Sequence, residues 1–314
     1  MDKFKSYLNA LFPTDVIVII FYLGLTVTNI IFSNKIEPWA EFVFYNFILI
    51  SAISFVAVMD KKSGKTLWKQ LHFWYLVPLV FLTFKEIYFM IKPIRGVDYD
   101  NILIQIDRFI FGTDPTHALY SIANPYLTEL LQIVYGTFFF LPVILVVDLM
   151  LNNRYEDVKF ATYSVVWGFI LSYIGYFLVP AIGPRFTLHD FTAINSELPG
   201  IFLTDFLREV VNAGESIPAG TLNVADLVQR DVFPSGHTQM TLIVMFLSLK
   251  MKTKSRYFFI PNGTLLIFST VYLRYHYVAD VLGGIIFMIF TMWSGPYIYN
   301  WWMEKTGGKK FEYS

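Results

Sequence analysis

The 314-residue chain contains no cysteine. Disulfides, thiolate nucleophiles and thiolate metal sites are therefore excluded. Charge is scarce: Asp, Glu, Lys and Arg supply 15% of the residues, against roughly 25% in a soluble domain. The two signs cancel at 24 each, so no overall field draws the chain to nucleic acid. Internal repeats and low-complexity tracts are missing as well. Apolar and aromatic residues take the place of charge. Hydrophobic residues reach 55%, with 32 Phe, 20 Tyr and 7 Trp, and mean hydropathy is +0.52. This is the composition of a polytopic membrane protein. The residues before 14 lack a cleavable-leader pattern, and a full span is expected to follow them.

Eight apolar stretches approach the ~20 residues that a membrane-crossing helix needs. They are 14–33, 41–60, 71–91, 128–151, 158–180, 236–251, 257–275 and 278–298. The sixth is short and fits if its first residues lie below the membrane surface. The expected fold is an all-α integral membrane bundle of about eight transmembrane helices. Residues 1–70 read as peripheral helices, 71–304 as the core and 305–314 as a cytoplasmic tail, with one single domain as the simpler alternative. Two further segments, 102–111 and 200–211, are amphipathic. In the second, Ile201, Phe202, Phe206 and Leu207 oppose Asp205, Arg208 and Glu209. Both read as interfacial helices, and one of them alternatively as part of a lateral entrance for a lipid.

Lys and Arg crowd the short loops on the N-terminal side. Lys61, Lys62, Lys65 and Lys69 lie there, followed by Arg154 and Lys159, and then Lys250, Lys252, Lys254 and Arg256. By the positive-inside rule, that side and both termini are cytoplasmic. The outer ends of spans five to eight then gather Arg185, His237, Arg274, His276 and Asp280.

Pro234-Ser235-Gly236-His237 reads as a helix start. Ser235 is the N-cap, and the amides of Gly236 and His237 are open to an anion. Gly236 lets a ligand approach the backbone. His276 and Asp280 share a helix face at i,i+4 spacing. The carboxylate fixes one imidazole nitrogen and leaves the other as a nucleophile. His237, from another span, can protonate a leaving oxygen. Arg185 and Arg274 are planar charged donors suited to phosphate. Each residue alone has an ordinary reading: a histidine at the headgroup boundary, a snorkelling arginine, a plain helix start. Asp280 is the exception, since a carboxylate inside an apolar span ordinarily has a functional partner. Their conjunction on one face points to phosphoryl transfer through a phosphohistidine. The rival is a zinc site of His237, His276, Asp280 and His189. Neighbouring arginines disfavour it, and neither a metal nor another cofactor is expected.

The same residues resemble the type 2 phosphatidic acid phosphatase and vanadium haloperoxidase superfamily. Its Pro-Ser-Gly-His signature stands unaltered at Pro234 to His237, and the His-x3-Asp ending of another stands at His276 and Asp280. Gly183-Pro184-Arg185-Phe186 represents the first signature, and the resemblance covers about the last 190 residues. Within the superfamily, three features are most similar to the branch that includes inositol phosphorylceramide synthases. They are Gly183-Pro184-Arg185, the Tyr272 to Asp280 pattern, and Asp107 to Gly112 with Pro115. The resemblance implies a helical-bundle core and a membrane phosphatase or phosphotransferase acting on a lipid phosphate or phospholipid. It implies that His276 is the nucleophile, Asp280 its partner, His237 the acid, and Arg185, Ser235 and Gly236 part of the phosphate cradle. A bacterial inner membrane is the expected setting. There are departures. Leu178 stands where a Lys is expected, Phe186 where a Pro is, and Thr270 where an Arg is; Arg274 lies one helical turn further on. Lys85, beside Glu86, is a candidate for the missing Lys. Gly236 follows the phosphatase pattern, where fungal synthases typically carry Leu. Haloperoxidase activity suits so apolar a chain poorly. A carrier or scaffold with a vestigial site is the alternative from another class. Buried charge in spans one, two and four would support that alternative, and Asp148 is the candidate there.

Overall fold

A computed structural model describes residues 2–217, 220–221 and 223–312. They are helical, with no strand among the described residues. The early helices are α1 (Asp2–Leu8), α2 (Pro13–Ile31), α3 (Trp39–Ser63), α4 (Thr66–Trp74), α5 (Leu76–Arg95), α6 (Asp100–Phe111) and α7 (Pro115–Ala118). After them come α8 (Pro125–Gly136), α9 (Phe140–Leu151), α10 (Tyr155–Leu178), α11 (Pro184–Thr187), α12 (Ile194–Glu197) and α13 (Thr204–Gly214). The last are α14 (Val224–Leu227), α15 (Gly236–Lys250), α16 (Arg256–Tyr272) and α17 (Val278–Thr306).

Among the described residues, five segments are long and apolar enough to cross a membrane: α2, α3, α4 with α5, α10 and α17. A sixth forms if α8 and α9, bent by 56° at their junction, count as one span. These six correspond to six of the eight expected stretches. The other two are α15 and α16, of 15 and 17 residues. At 1.5 Å rise per residue neither reaches ~30 Å.

The chain forms two compact units. One comprises residues 1–96, 146–170 and 290–314; the other comprises 97–145 and 171–289. In the first, large apolar side chains such as Ile20, Phe44, Phe55 and Phe81 point outward, and polar groups are buried. Glu86 Oε1 accepts hydrogen bonds from Asn29 (2.7 Å) and Asn46 (2.9 Å), joining α5 to α2 and α3. Asp15 is buried. It faces His72 Nε2 at 2.8 Å and accepts from the Tyr75 hydroxyl at 2.7 Å, while His72 Nδ1 lies 2.8 Å from Asp60. Lipid tails give apolar faces no reason to associate, so bonds of this kind hold such helices together. A buried carboxylate thus does occur in span one, at Asp15; its hydrogen bonds tie α2 to α4 and the Tyr75 turn, and His72 extends the link to α3 through Asp60.

In the second unit, α16 packs on α15 and on α8, and α13 also packs on α8. Glu129 of α8 holds the turn before α13. Its carboxylate accepts from the backbone N–H groups of Ile201, Phe202, Leu203 and Thr204 at 2.6–3.3 Å. Leu203 and Thr204 are among the donors that a helix start leaves without helical partners, and Ile201 and Phe202 belong to the turn before it. A helix does form here, but it is α13, Thr204–Gly214, and residues 200–203 of the expected 200–211 segment make the turn before it. Phe206 and Val210 of α13, Phe202 of the turn before it, and Asp205 and Glu209 are exposed, while Thr204 and Arg208 are buried.

Candidate active site

The second unit gathers seven of the eight expected site residues. α15 begins where Ser235, in extended backbone, accepts a hydrogen bond from the Thr238 N–H at 3.2 Å. This is the N-cap expected from the sequence. The amides of Gly236 and His237 fall in the first helical turn, where no intrahelical acceptor exists. Gly236 is required sterically: a Cβ there would come within 2.5 Å of the Tyr176 hydroxyl of α10.

α16 ends in a turn whose geometry brings His276 back toward α15. The amides of Tyr275 and His276 both donate to the carbonyl of Thr270, at 2.9 and 3.0 Å. Arg274 takes the left-handed conformation, φ +67°, that glycine usually fills. Thr270, where a cation is expected, is buried, and its hydroxyl donates to the Ile267 carbonyl.

Two carboxylates of α6 hold the other parts of this end. Asp107 accepts from the N–H groups of Val278 (2.9 Å) and Ala279 (2.7 Å), capping α17. Asp100 accepts from the N–H groups of Ile182 (3.0 Å) and Gly183 (2.8 Å) and from the Tyr277 hydroxyl (2.8 Å). The Tyr277 hydroxyl also meets Thr187 at 2.5 Å. One side chain therefore ties the Gly183-Pro184-Arg185 turn to the residue after His276. Gly183 has φ +96°, and a Cβ on it would lie 3.0 Å from the Tyr275 carbonyl.

The histidines meet directly. His276 Nε2 lies 3.4 Å from His237 Nδ1, and His276 Nδ1 lies 3.4 Å from Asp280 Oδ2. Asp280 is fully buried; its Oδ2 accepts from the Tyr277 N–H, and its carbonyl accepts from the Ser235 N–H. Thus α15 and α17 are pinned start to start. Burial pushes the His276 imidazole down to about 3, against the ordinary 6.5. Burial and the facing His276 push the His237 imidazole down as well; a ring held uncharged keeps a nitrogen lone pair for nucleophilic attack. His237 is wedged between the rings of Tyr135 (4.5 Å) and Phe138 (4.2 Å). Tyr135 stacks in turn on Tyr275 (4.3 Å), whose ring carries the Arg185 guanidinium at 4.4 Å. This stack links three site residues through two tyrosines that the sequence reading did not single out.

Both arginines are buried and hold carboxylates. Arg185 pairs with Glu215 and donates to Asn212 at 2.9 Å. Arg274 pairs with Glu197, and its Nε has no partner although it is buried. Burial pushes the Glu215 and Asp231 carboxyls up, and for Asp231 the neighbouring Glu215 adds to the effect. Lys85 belongs to the other unit. There its ammonium lies over the rings of Tyr88 and Phe89, at 5.1 and 5.4 Å, and the adjacent Glu86 bonds to the two asparagines instead. Leu178 is an exposed apolar residue. His189 bonds to Thr116 and stacks edge-on against His117, away from the His237–His276 pair in its contacts. Among the described residues, no group of three His, Cys, Asp or Glu side chains could hold a metal ion.

An apolar cavity of about 440 Å³ adjoins the same end of the helices. Phe111, Leu119, Phe268, Val271, Val278 and Val281 contribute to its lining.

Comparison with known proteins gives a family and one relative. The model of the PAP2 superfamily matches residues 101–294, more than half of the chain. A PA-phosphatase related-family protein of Dictyostelium discoideum is 24% identical over 188 residues, covering 54% of this chain. That region is 32% of the relative, so the chain spans about a third of its length. No solved structure matches the chain.

Proposed function

Because the chain belongs to the PAP2 superfamily, we propose that it is an integral membrane enzyme that cleaves or transfers a lipid phosphate through a phosphohistidine at the extracytoplasmic face. The observation that carries this reading is the line Asp280–His276–His237, with both intervals at 3.4 Å. His276 Nδ1 faces the carboxylate, so Nε2 is the attacking atom. It forms a bond to phosphorus, the P–O bond to the lipid alcohol breaks, and His237, which takes up a proton when the bound phosphate supplies the counter-charge, gives that proton to the departing oxygen. An acceptor hydroxyl then attacks phosphorus, passes its proton to His237, and the P–N bond breaks to free His276. Water as acceptor makes the enzyme a phosphatase; a lipid or sugar hydroxyl makes it a transferase of the inositol phosphorylceramide synthase kind. At 3.4 Å the two rings touch, so a phosphoryl group enters as they part.

The phosphate is held by Arg185, Arg274, the Ser235 hydroxyl and the first-turn amides of α15. Glu215 and Glu197 occupy the arginines until the phosphate displaces them. The apolar cavity beside Val278 and Val281 supports a substrate with a hydrocarbon tail. The excess of Lys and Arg in the loops on the N-terminal side supports cytoplasmic termini and an external site. Inorganic phosphate release and headgroup transfer, measured over a panel of lipid phosphates and phospholipids with His276→Ala as control, test the proposal. Turnover by the wild type and its loss in the variant are expected. No turnover of any member would favour a carrier or scaffold with a vestigial site.

A further inference from the structure

Arg208 was an unremarkable polar residue in an amphipathic segment. In the structure it is turned inward. α13 exposes Phe206 and Val210 and buries the Arg208 side chain, which is 6% exposed. The helix is fixed in that orientation by the four N–H groups that Glu129 accepts at its start. A guanidinium removed from water needs an anionic partner or full hydrogen bonding. Arg208 has two neutral acceptors, the Asn195 side chain (3.0 Å) and the Leu198 carbonyl (2.6 Å). Its carboxylate neighbour is Asp205, 3.9 Å away and 71% exposed, a distance beyond a hydrogen bond. Arg185 and Arg274 each hold a carboxylate in contact.

Arg208 also lies within electrostatic reach of both those arginines and of Tyr275. Burial pushes its pKa down, and the charges of Arg185 and Arg274 act in the same direction, while Tyr275 and Asp205 oppose them. Gathering three guanidinium groups is unfavourable where one of them, Arg208, has no carboxylate in hydrogen-bond contact among the described residues. It becomes favourable when a further anion enters. The signature cation that should supply the remaining charge is absent, since Leu178 stands in its place and points outward.

We propose that Arg208 is a phosphate ligand of the active site, supplying from α13 the charge that Leu178 does not. This rests on the phosphate-site reading above and assigns it a residue outside the signatures. The guanidinium binds the phosphoryl oxygens beside Arg185 and Arg274, and α13 presents Phe206 and Val210 to the lipid surface from which the substrate comes.

Orthovanadate, a mimic of the pentavalent phosphorus, is the probe. Its affinity for the purified full chain is measured by calorimetry, counting folded protein, for the wild type, Arg208→Gln, Arg208→Lys and Arg230→Gln. Arg230 is an equally buried arginine whose partners are Asp98 and loop carbonyls. The expected result is binding by the wild type, weakened roughly 10- to 100-fold in Arg208→Gln, as loss of one charge-assisted hydrogen bond gives. Arg230→Gln keeps the wild-type affinity. Should Arg208→Gln fail to fold, Arg208→Lys decides, because it keeps the charge without the planar fork and binds at least about 3-fold more weakly. A wild type that ignores vanadate overturns the phosphate-site reading and this assignment with it. A wild type that binds, with Arg208→Gln within 2-fold of it or Arg230→Gln equally weakened, overturns the Arg208 assignment alone. Wild-type affinity in Arg208→Lys, where that variant decides, does the same. A residue that served only to staple residues 195–198 would lower the melting temperature and leave vanadate affinity per folded molecule untouched.

Discussion

Asp107→Ala removes the carboxylate that holds the start of α17. Asp107 is 1% exposed and accepts two backbone N–H groups, from Val278 and Ala279, at 2.9 and 2.7 Å. A hydrogen bond to a charged group is worth about 1.5–3 kcal/mol, and its loss leaves a buried donor without a partner. A charge at a helix N-terminus adds about 0.3–1 kcal/mol. Asp107→Ala should therefore cost about 3–6 kcal/mol, and Asp107→Asn, which keeps one acceptor oxygen, about half as much. At 2–4 °C per kcal/mol the alanine variant melts roughly 10 °C or more below the wild type. Burial pushes the Asp107 carboxyl up from its ordinary value. The folded state therefore holds this proton more tightly than the unfolded chain, so the stability Asp107 contributes is greatest at acid pH, and the gap between variant and wild type should widen as the medium becomes acid and narrow as pH rises through the raised value. Asp280 lies in the turn that Asp107 caps, and a misplacement of about 1 Å in such a constellation costs on the order of 100-fold in turnover. Differential scanning fluorimetry in detergent over a pH series, with vanadate affinity alongside, measures both effects. An Asp107→Ala variant melting within 2 °C of the wild type and binding vanadate equally well would refute the reasoning, because α17 would then need no cap from α6.

Four further outcomes are expected. Gly236→Ala drives a Cβ to 2.5 Å from the Tyr176 hydroxyl and should cost about 1–3 kcal/mol. Tyr176→Phe should return part of that cost in the double variant, and simple additivity in thermal unfolding would contradict the contact. At Arg274, with φ +67°, glycine should be less destabilising than alanine by about 1 kcal/mol, although both abolish vanadate binding; equal melting temperatures would argue against backbone strain. Asp231 has a folded pKa above its unfolded value. Its protonated form is favoured by folding, so the stability it contributes is present at acid pH and lost as pH rises through the raised value. Asp231→Asn should flatten that fall, and an unchanged pH profile of melting would tell against it. Finally, the absence of native cysteine allows single cysteines to report topology. A cysteine at exposed Ser196 should react with an impermeant maleimide on intact cells and one at Lys254 should not; the reverse pattern would invert the proposed orientation.

Much of the site was legible because its chemistry is local. Ser235 caps the helix three residues before its donor Thr238, and His276 meets Asp280 across one turn. Spacing along the chain is enough to read such pairs. The family was legible for the same reason, through Pro234 to His237 and the His276-x3-Asp280 ending. The supports were not. Asp100 reaches Tyr277 across 177 positions, and Asp107 reaches Val278 across 171; no periodicity encodes such partners. The carboxylates on Arg185 and Arg274 come from the 194–215 segment by the same kind of long-range meeting. Arg208 was misjudged for a different physical reason. In water the charged side of an amphipathic helix faces out, whereas here α13 exposes Phe206 and Val210 beside Asp205 and Glu209 and turns its arginine inside. Hydropathy placed six of the expected stretches on long apolar helices or a bent pair. It counted α15 and α16 as spans as well; α15 is as short as its sequence suggested, and with 15 and 17 residues neither crosses ~30 Å as a straight helix.

The central claim is that His276 carries the phosphoryl group. Purified enzyme is incubated with a lipid substrate labelled at phosphorus, quenched in alkali and digested for peptide mass spectrometry. The account predicts phosphate on His276 in the wild type, more of it when water or acceptor is limiting, and none in His276→Ala. Turnover without any phosphohistidine, or full activity in His276→Ala, would contradict it.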